Sequence, residues 1–320
     1  MILNIVLLIV GFGLLIKGAD MFVDGASSTA SNFKVSKTLI GLTIVAFGTS
    51  APEFAVSLQS LANNNSDMVL GNVIGSCIIN TLLILGIAAM IRPIRTKNNT
   101  VRKELPITLL ISTLLAILML DVKLGNSLLN QLTRSDAIVI LLFFTVFLYY
   151  LINMAIKNKK EKGKDDIEKP KYSLIKSLLF VSIGLVGIIY GSDLVVGNAS
   201  DIATKIGISS RIISLTIIAL GTSLPELVTT IVSAKKGEQD ILLGNIIGSN
   251  IFNICVVLGI PVAIYGTINP SSFSSIDIIA LVGSSILLFL FALTNKTINR
   301  IEGAIMFLTF IAYYILIFIF

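Results

Sequence analysis

The sequence predicts an all-α membrane protein of ten transmembrane helices, arranged as two inverted five-helix repeats. The first observation behind this prediction is composition, since 55% of the 320 residues are hydrophobic and 13% are charged, with a mean hydropathy of +0.94. Such values are typical of chains that have the bilayer as their solvent. The second is a series of apolar stretches near the ~20 residues that a spanning helix needs. The third is an internal repeat.

Apolar stretches cover nearly the whole chain and leave little length for a soluble domain. We predict ten spans, numbered in chain order, with cores at residues 2–23, 38–61, 68–91, 105–121, 134–155, 174–197, 211–234, 241–265, 275–294 and 301–320. The lipid bilayer is therefore the main partner that we expect. The net charge of +6 reflects the topology described below, so we expect no nucleic-acid partner.

The internal repeat appears when the chain is shifted against itself by 173 residues, which is 226 minus 53. GLTIVAFGTSAPE, which ends at Glu53, then lies over SLTIIALGTSLPE, which ends at Glu226. In the same frame LGNVIGSCIIN, ending at Asn80, lies over LGNIIGSNIFN, ending at Asn253. Two unrelated apolar segments would share scattered Leu and Ile, but not Gly, Thr, Ser, Pro, Glu and Asn at fixed spacing. The two halves are therefore copies.

Each copy contains five spans, and because five is odd the second copy starts from the opposite side of the membrane. We accordingly divide the chain into a first repeat at 1–155, a lysine-rich linker at 156–173 and a second repeat at 174–320. Inverted repeats are characteristic of secondary transporters, whose substrate site lies near the membrane midplane where the copies meet.

Basic residues are distributed unevenly between the loops on the two sides. Eighteen Lys and Arg fall in the loops of the side that carries the linker, and four fall in the loops of the other side. The positive-inside rule then predicts a protein of the cell membrane with both termini outside and the linker in the cytoplasm. The mixed charges of the linker indicate a solvated connection, and the alternatives are regulation or contact with anionic lipids.

Spans two and seven each carry a proline near their middle, at Pro52 and Pro225. Proline lacks an N–H and clashes with the carbonyl four residues earlier, so we expect each helix to break there. A broken helix exposes carbonyl oxygens that the membrane tolerates only beside protein or a polar cavity. With the Thr and Ser hydroxyls of the preceding GTS segments, these oxygens are ligands suited to Na⁺ or Ca²⁺. The alternative is a plain proline kink.

A glutamate follows each proline, and Glu53 and Glu226 are the only acidic residues that we expect at bilayer depth. A charge there costs at least about 2.5 kcal/mol and is functional by default. The repeat symmetry is expected to bring the two carboxylates together, where they would repel unless cations neutralise them. One Ca²⁺ or two or more Na⁺ would do so. Occupancy by the two ions would be mutually exclusive, which is the physical basis of antiport. The alternative is a structural hydrogen bond at each glutamate.

Spans three and eight carry polar side chains four residues apart, which share a helix face. We interpret the first member of each stripe, Asn72 and Asn245, as interhelical hydrogen-bonding groups. The deeper members are candidate ion ligands, namely Ser76, Asn80, Ser249 and Asn253. Asp67 and Asp240 precede these spans and are predicted to be helix N-caps.

The paired GTS-x-PE and GN-x-IGS-x-I-x-N segments closely resemble the two alpha-repeats of the Na⁺/Ca²⁺ exchanger family, within the cation/Ca²⁺ antiporter superfamily. The resemblance implies a core of spans two, three, seven and eight, with spans one and six as long gating helices. It also implies electrogenic exchange of about three Na⁺ for one Ca²⁺. The large cytoplasmic calcium-sensing insertion of animal exchangers is absent. Some relatives, including potassium-dependent ones, have Asp where this chain has Asn253.

The ion ligands of the family correspond to six positions in each repeat. Ala46 and its partner Ala219 would act through their backbone carbonyls. The full set that the resemblance implies is Ala46, Thr49, Ser50, Glu53, Ser76 and Asn80, with Ala219, Thr222, Ser223, Glu226, Ser249 and Asn253.

Three other functions are alternatives to Na⁺/Ca²⁺ exchange. A proton/Ca²⁺ antiporter would use the same fold, but the chain has no His, the usual proton-relay residue. A passive cation channel gains nothing from inverted halves. An intramembrane hydrolase needs a catalytic dyad or a His-bound metal. We therefore expect a transporter rather than an enzyme, with Na⁺ and Ca²⁺ as substrates and no cofactor.

Overall fold

A computed structural model of the chain describes residues 1–63, 65–124, 128–161, 169–207, 219–269, 275–294 and 296–319. The α-helices are α1 (Ile2–Phe33), α2 (Lys37–Ile40), α3 (Ala46–Thr49), α4 (Ala51–Ala62), α5 (Ser66–Ile78), α6 (Leu85–Ile91), α7 (Leu105–Leu118), α8 (Asp121–Leu124), α9 (Arg134–Glu161), α10 (Leu174–Lys205), α11 (Ala219–Gly221), α12 (Leu224–Lys236), α13 (Gln239–Phe252), α14 (Gly259–Tyr265), α15 (Ser275–Leu293) and α16 (Arg300–Ile319). Turns of π-helix lie at Gly41–Val45, Ile79–Ile84, Thr100–Glu104 and Asn253–Leu258. Two-residue strands, β1 (Ile94–Arg95) and β2 (Thr297–Ile298), pair antiparallel.

The described residues contain seven helices that are long and apolar enough to cross a membrane, and up to eight if one bent pair is a single span. The seven coincide with predicted spans one, three, five, six, eight, nine and ten. The bent pair, Lys37–Thr49 with Ala51–Ala62, coincides with span two and bends by 45°. The structure thus confirms an all-helical protein with several membrane spans.

Spans four and seven are the two that this count does not include. In span four, α7 is 14 residues long and follows directly on the π-helical turn that ends at Glu104. In span seven, residues 211–218 lie outside the described residues, and the rest forms α11 and α12. The count of ten spans therefore stays a prediction.

One helix start differs from its prediction. The N-cap of α5 is Asn65, whose side chain accepts the N–H of Met68 at 3.2 Å, whereas Asp67 lies inside the first turn. Asp240 likewise lies in the first turn of α13. Carboxylates in a first turn interact favourably with the positive end of the helix dipole, so Asp67 lies at a helix start but is not its N-cap.

The chain forms two compact units, and each contains segments of both repeats. The first comprises Met1–Pro52 and Ala155–Asn245, and the second comprises Glu53–Met154 and Ile246–Phe320.

In the first unit, α1 packs closely against α10 through small residues. A Cβ on Gly18 would lie 2.8 Å from the carbonyl oxygen of Gly184, and one on Gly191 would lie 2.8 Å from that of Gly11. Seven residues further along α1, a Cβ on Gly25 would lie 2.8 Å from the oxygen of Ser177. In a membrane, helix association depends on van der Waals contact, which small residues permit. Larger side chains at these positions would force the two helices apart.

In the second unit, α6 and α16 approach in the same way, since a Cβ on Gly303 would lie 2.7 Å from the oxygen of Gly86. This unit also contains a fully buried glutamate, Glu104, which its place at the predicted start of span four did not indicate. The hydroxyl of Tyr150 donates to its Oε1 at 2.9 Å. At the equivalent position of the second repeat, Asp277 accepts a 2.9 Å hydrogen bond from Tyr313.

Candidate cation-binding site

Spans two and seven are broken in nearly identical ways. The first break lies at Ser50, with φ −87° and ψ 7°, and the second lies at Ser223, with φ −88° and ψ 5°. The break itself was predicted, but Pro52 and Pro225 do not sit at it. Each proline lies in the first turn of the next helix, α4 or α12. A missing N–H costs nothing in a first turn, where the N–H has no helical partner anyway.

The first unit brings a hydroxyl of one repeat onto a carboxylate of the other. Ser50 Oγ donates to Glu226 Oε1 at 2.8 Å, and both residues are fully buried. Hydrogen bonds to an ionised acceptor are roughly twice as strong as neutral ones. Two of the predicted ligands, 176 residues apart in sequence, are therefore adjacent in space.

Thr49, the residue before this break, is also fully buried. Its Oγ1 lies 3.1 Å from Asn245 Oδ1 and 3.3 Å from the carbonyl oxygen of Ala46. The same Ala46 oxygen accepts the N–H of Ser50 at 3.0 Å. Asn245 Nδ2 donates to Thr230 Oγ1 at 3.3 Å. The prediction that Asn245 makes interhelical hydrogen bonds is thus confirmed.

At the second break, the carbonyl oxygen of Gly221 accepts a hydrogen bond from a side chain of α10. Pro225 has no N–H to donate to the oxygen of Gly221, four residues earlier, and Ser192 Oγ of α10 donates to that oxygen at 3.0 Å. A Cβ on Gly221 would also clash with the side chain of Val196 in α10, so a larger residue here would force Val196 to move. Of the neighbouring candidates, Thr222 is partly buried and Ser223 is buried. For Ala219 the structure describes only the backbone, in the first position of α11.

The second unit holds the other glutamate. Glu53 is fully buried in the first turn of α4, and Asn72 Nδ2 donates to its backbone oxygen at 2.9 Å. The same nitrogen lies 2.9 Å from Ser57 Oγ. Asn72 therefore joins α5 to α4, as predicted, and repeats the bond that Asn245 makes to Thr230.

The remaining candidates also belong to the second unit and are buried: Ser76, Asn80, Ser249 and Asn253. Asn80 and Asn253 lie on π-helical turns at equivalent places in the two repeats. A π-helical turn inserts an extra residue, changes the direction of the following side chains and is frequent at functional sites. No residue type signals such a turn, so it was not predicted.

Asn250 is a further polar residue of this region, outside the predicted ligand set. Its Oδ1 accepts a 3.2 Å hydrogen bond from Asn80 Nδ2, and its own Nδ2 donates to Thr81 Oγ1 at 2.8 Å. The available signal was the difference between the motifs LGNVIGSCIIN and LGNIIGSNIFN, where Cys77 of the first stands against Asn250 of the second.

The ion pairs of the first unit have no signature in the sequence. A cavity of about 520 Å³ is lined by these charged residues among others: Asp20, Asp24, Lys37, Lys171, Lys236 and Glu238. Lys236 Nζ lies 2.6 Å from Asp24 and 2.7 Å from Asp20, and Lys171 Nζ lies 2.7 Å from Asp24. We call Asp20, Asp24, Lys171 and Lys236 the lysine–aspartate cluster. The hydrogen bond to Asp24 raises the pKa of Lys171 to about 12, because the bond favours the charged ammonium.

Comparison with known proteins points to one family. The family model described as sodium/calcium exchanger protein matches residues 3–153 and 176–319. The chain is 36% identical to the putative antiporter CaxA of Alkalimonas amylolytica over 99% of both chains. It is 29% identical to the sodium/calcium exchanger MaX1 of Methanosarcina acetivorans over 98% of both.

A solved structure is similar over nearly the whole chain. It is the sodium-calcium exchanger NCX_Mj soaked with 2.5 mM Na⁺ and 0.1 mM Ca²⁺, at a TM-score of 0.83 and 32% identity. The likeness covers 99% of this chain and 97% of that one.

Proposed function

The chain belongs to the sodium/calcium exchanger protein family, and on this premise we propose that it is an antiporter that exchanges Na⁺ for Ca²⁺ by alternating access. About three Na⁺ move against each Ca²⁺, so that transport is electrogenic. The observation that carries this proposal is the fully buried Ser50–Glu226 hydrogen bond of 2.8 Å, which joins the ion-ligand motifs of the two repeats.

The ions are bound by oxygens of both repeats. Glu53 and Glu226 supply two negative charges, the hydroxyls and amide oxygens supply neutral ligands, and Ala46 and Ala219 contribute backbone carbonyls. Hard oxygen ligands of this kind suit Ca²⁺, and they also suit Na⁺. Two buried carboxylates balance one Ca²⁺. The proposed set is Ala46, Thr49, Ser50, Glu53, Ser76, Asn80, Ala219, Thr222, Ser223, Glu226, Ser249 and Asn253.

Antiport follows from competition for this one set of ligands. Na⁺ and Ca²⁺ need the same glutamate oxygens, so the protein carries either Ca²⁺ or Na⁺ in each half of its cycle. An empty site would leave two carboxylates buried without compensation, which costs several kcal/mol per ion. The ion-free protein therefore rarely changes between its outward-facing and inward-facing conformations. Because only the ion-bound protein does so readily, the flux of Na⁺ is coupled to the flux of Ca²⁺.

The chain crosses the membrane ten times as two inverted repeats, with both termini outside and residues 156–173 in the cytoplasm of the cell. The asymmetry of basic residues supports this orientation. The close packing of α1 against α10 supports a role for spans one and six as a pair.

The proposal is tested with purified protein in liposomes. Vesicles loaded with Na⁺ should take up radiolabelled Ca²⁺, and vesicles loaded with Li⁺ or K⁺ should not. Uptake driven equally well by a pH gradient without Na⁺ would instead indicate a proton/Ca²⁺ antiporter. Uptake that needs no opposing gradient would indicate a channel.

Electrogenicity is tested in the same vesicles with the potential clamped by potassium and valinomycin. One net positive charge leaves with the Na⁺ in each cycle, so an inside-positive potential should accelerate Ca²⁺ uptake. Uptake that is insensitive to a verified clamp contradicts the proposed stoichiometry.

A further inference from the structure

The two asparagines of the proposed ligand set, Asn80 and Asn253, differ in the residues that hydrogen-bond to their amide groups. Asn250 donates through Nδ2 to Thr81 Oγ1 at 2.8 Å, so its Oδ1 is the end that faces Asn80. Asn80 meets that oxygen with its own Nδ2 at 3.2 Å. An amide that bonds through its nitrogen turns its oxygen the other way. Asn80 Oδ1 is fully buried and has no hydrogen-bond partner among the described residues.

The equivalent positions of the other repeat provide no such support. A shift of 173 residues places Asn253 over Asn80, Cys77 over Asn250 and Ile254 over Thr81. A thiol and an aliphatic side chain stand where the first set has an amide and a hydroxyl. Asn253 is fully buried, and within the described part of the chain neither Oδ1 nor Nδ2 makes a hydrogen bond.

We propose that Asn250 is a positioning residue, which fixes the Asn80 amide so that Oδ1 faces the transported cation. Asn253 lacks this support and turns to suit the ion that is bound. The ligand set therefore contains one preset amide and one adaptable amide. This inference rests on the proposed function, because it concerns the ligands of the same ions.

The physical reason is the polarity of an amide. Its oxygen stabilises a cation, whereas its nitrogen carries two positively polarised hydrogens that repel one. A buried amide that turns freely spends part of its time in the wrong orientation, and binding must then select the right one. Residues that orient a metal ligand from behind typically contribute about 10- to 100-fold in metal affinity.

The test is Ca²⁺ binding to the purified full-length protein by titration calorimetry, together with the half-saturating Ca²⁺ concentration for uptake. Asn250→Leu removes both hydrogen bonds at similar volume. We expect the Kd for Ca²⁺ to rise about 10- to 100-fold, while the maximal uptake rate changes much less. Cys77→Val, at the equivalent buried position, is the matched control and should leave the Kd near that of wild type.

A double-mutant cycle separates orientation from structural damage. Asn80→Asp presents an oxygen at both ends of the side chain, so orientation no longer matters. In that background Asn250→Leu should add little further loss of Ca²⁺ affinity. If Asn250→Leu does not fold, Thr81→Val serves instead, because it frees Asn250 to turn and should raise the Kd in the same direction by a smaller factor.

An unchanged Kd in Asn250→Leu, or an equal loss in both backgrounds, overturns the positioning role. This failure differs from failure of the proposed function, in which the wild-type protein itself would neither bind nor exchange Ca²⁺.

Discussion

The two repeats agree in backbone and differ in what surrounds their ligands. The breaks at Ser50 and Ser223 match to within a few degrees, and Asn80 and Asn253 both lie on π-helical turns. Yet Asn80 is bonded to Asn250, whereas the sequence position equivalent to Asn250 in the other repeat is Cys77. The two repeats therefore place their candidate ligands on backbones of the same conformation. A few substitutions beside those ligands make the surroundings of equivalent ligands differ.

A second difference lies at the helix ends. The lysine–aspartate cluster of the first unit depends on Asp24 and Lys236, and a shift of 173 residues places Gly197 and Asn63 at the equivalent positions. These neutral residues cannot form the same ion pair. The ion pair between Asp24 and Lys236 is therefore present in one place only, and the symmetry of the repeats does not reproduce it at the equivalent positions.

The largest effect is expected for the two glutamates, and it tests whether the carboxylate of each repeat is equally necessary. Glu53→Gln and Glu226→Gln should each abolish Na⁺-driven Ca²⁺ uptake, because one remaining carboxylate leaves Ca²⁺ half-neutralised in a low-dielectric site. Asp67→Asn, at an exposed carboxylate in the first turn of α5, is the control and should transport normally. A well-folded glutamine variant with wild-type exchange contradicts the two-glutamate mechanism.

The next prediction concerns potassium. Asn80 and Asn253 are both neutral, so the proposed ligand set holds two negative charges and has none to spare for a K⁺ beside Ca²⁺. Na⁺-loaded vesicles should take up Ca²⁺ equally fast in external KCl and external choline chloride at clamped voltage. Asn253→Asp would add a third charge to the second repeat alone and should make uptake sensitive to the monovalent cation. Uptake by the wild-type protein that requires K⁺ sinks this prediction.

A smaller effect is expected at the interhelical asparagines, where the repeats make the same bond. Asn245→Ala removes the donor to Thr230 Oγ1 and one of the acceptors beside Thr49 Oγ1, in a fully buried place. Leaving such groups unsatisfied costs about 1–3 kcal/mol. Asn72→Ala, at a partly buried position, should cost less. Thermal unfolding in detergent measures both, and an Asn72→Ala variant that is the less stable of the two contradicts the expected order.

The smallest effect belongs to the lysine–aspartate cluster. Asp24→Asn removes the charge that pairs with Lys171 and Lys236, and we expect faster hydrogen–deuterium exchange at residues 169–173, which Asp24 holds through Lys171. Partly exposed ion pairs contribute roughly 0.2–1 kcal/mol, so the rise should be at most about fivefold. Lys235→Gln, at the exposed neighbouring lysine, should not change the exchange. Equal exchange in both variants shows that the cluster does not hold this segment.

The sequence predicted the family, the seven long membrane helices and the presence of both breaks, because Gly, Thr, Ser, Pro and Glu recur in one frame and have strong local consequences. The count of ten spans stays a prediction. The sequence did not predict the bond between Asn80 and Asn250, which joins residues 170 positions apart and depends on packing. The π-helical turns have no residue signature. Asp67 was mistaken for an N-cap because Asn65, two residues earlier, offers the same chemistry.

The central claim is that Na⁺ and Ca²⁺ compete for one set of ligands that includes both glutamates. Calorimetric titration of Ca²⁺ into the purified wild-type protein at increasing Na⁺, with choline holding ionic strength constant, tests it most directly. The account predicts that the apparent Kd for Ca²⁺ rises more steeply than in proportion to Na⁺, because more than one Na⁺ displaces each Ca²⁺. A Kd that Na⁺ leaves unchanged would contradict it.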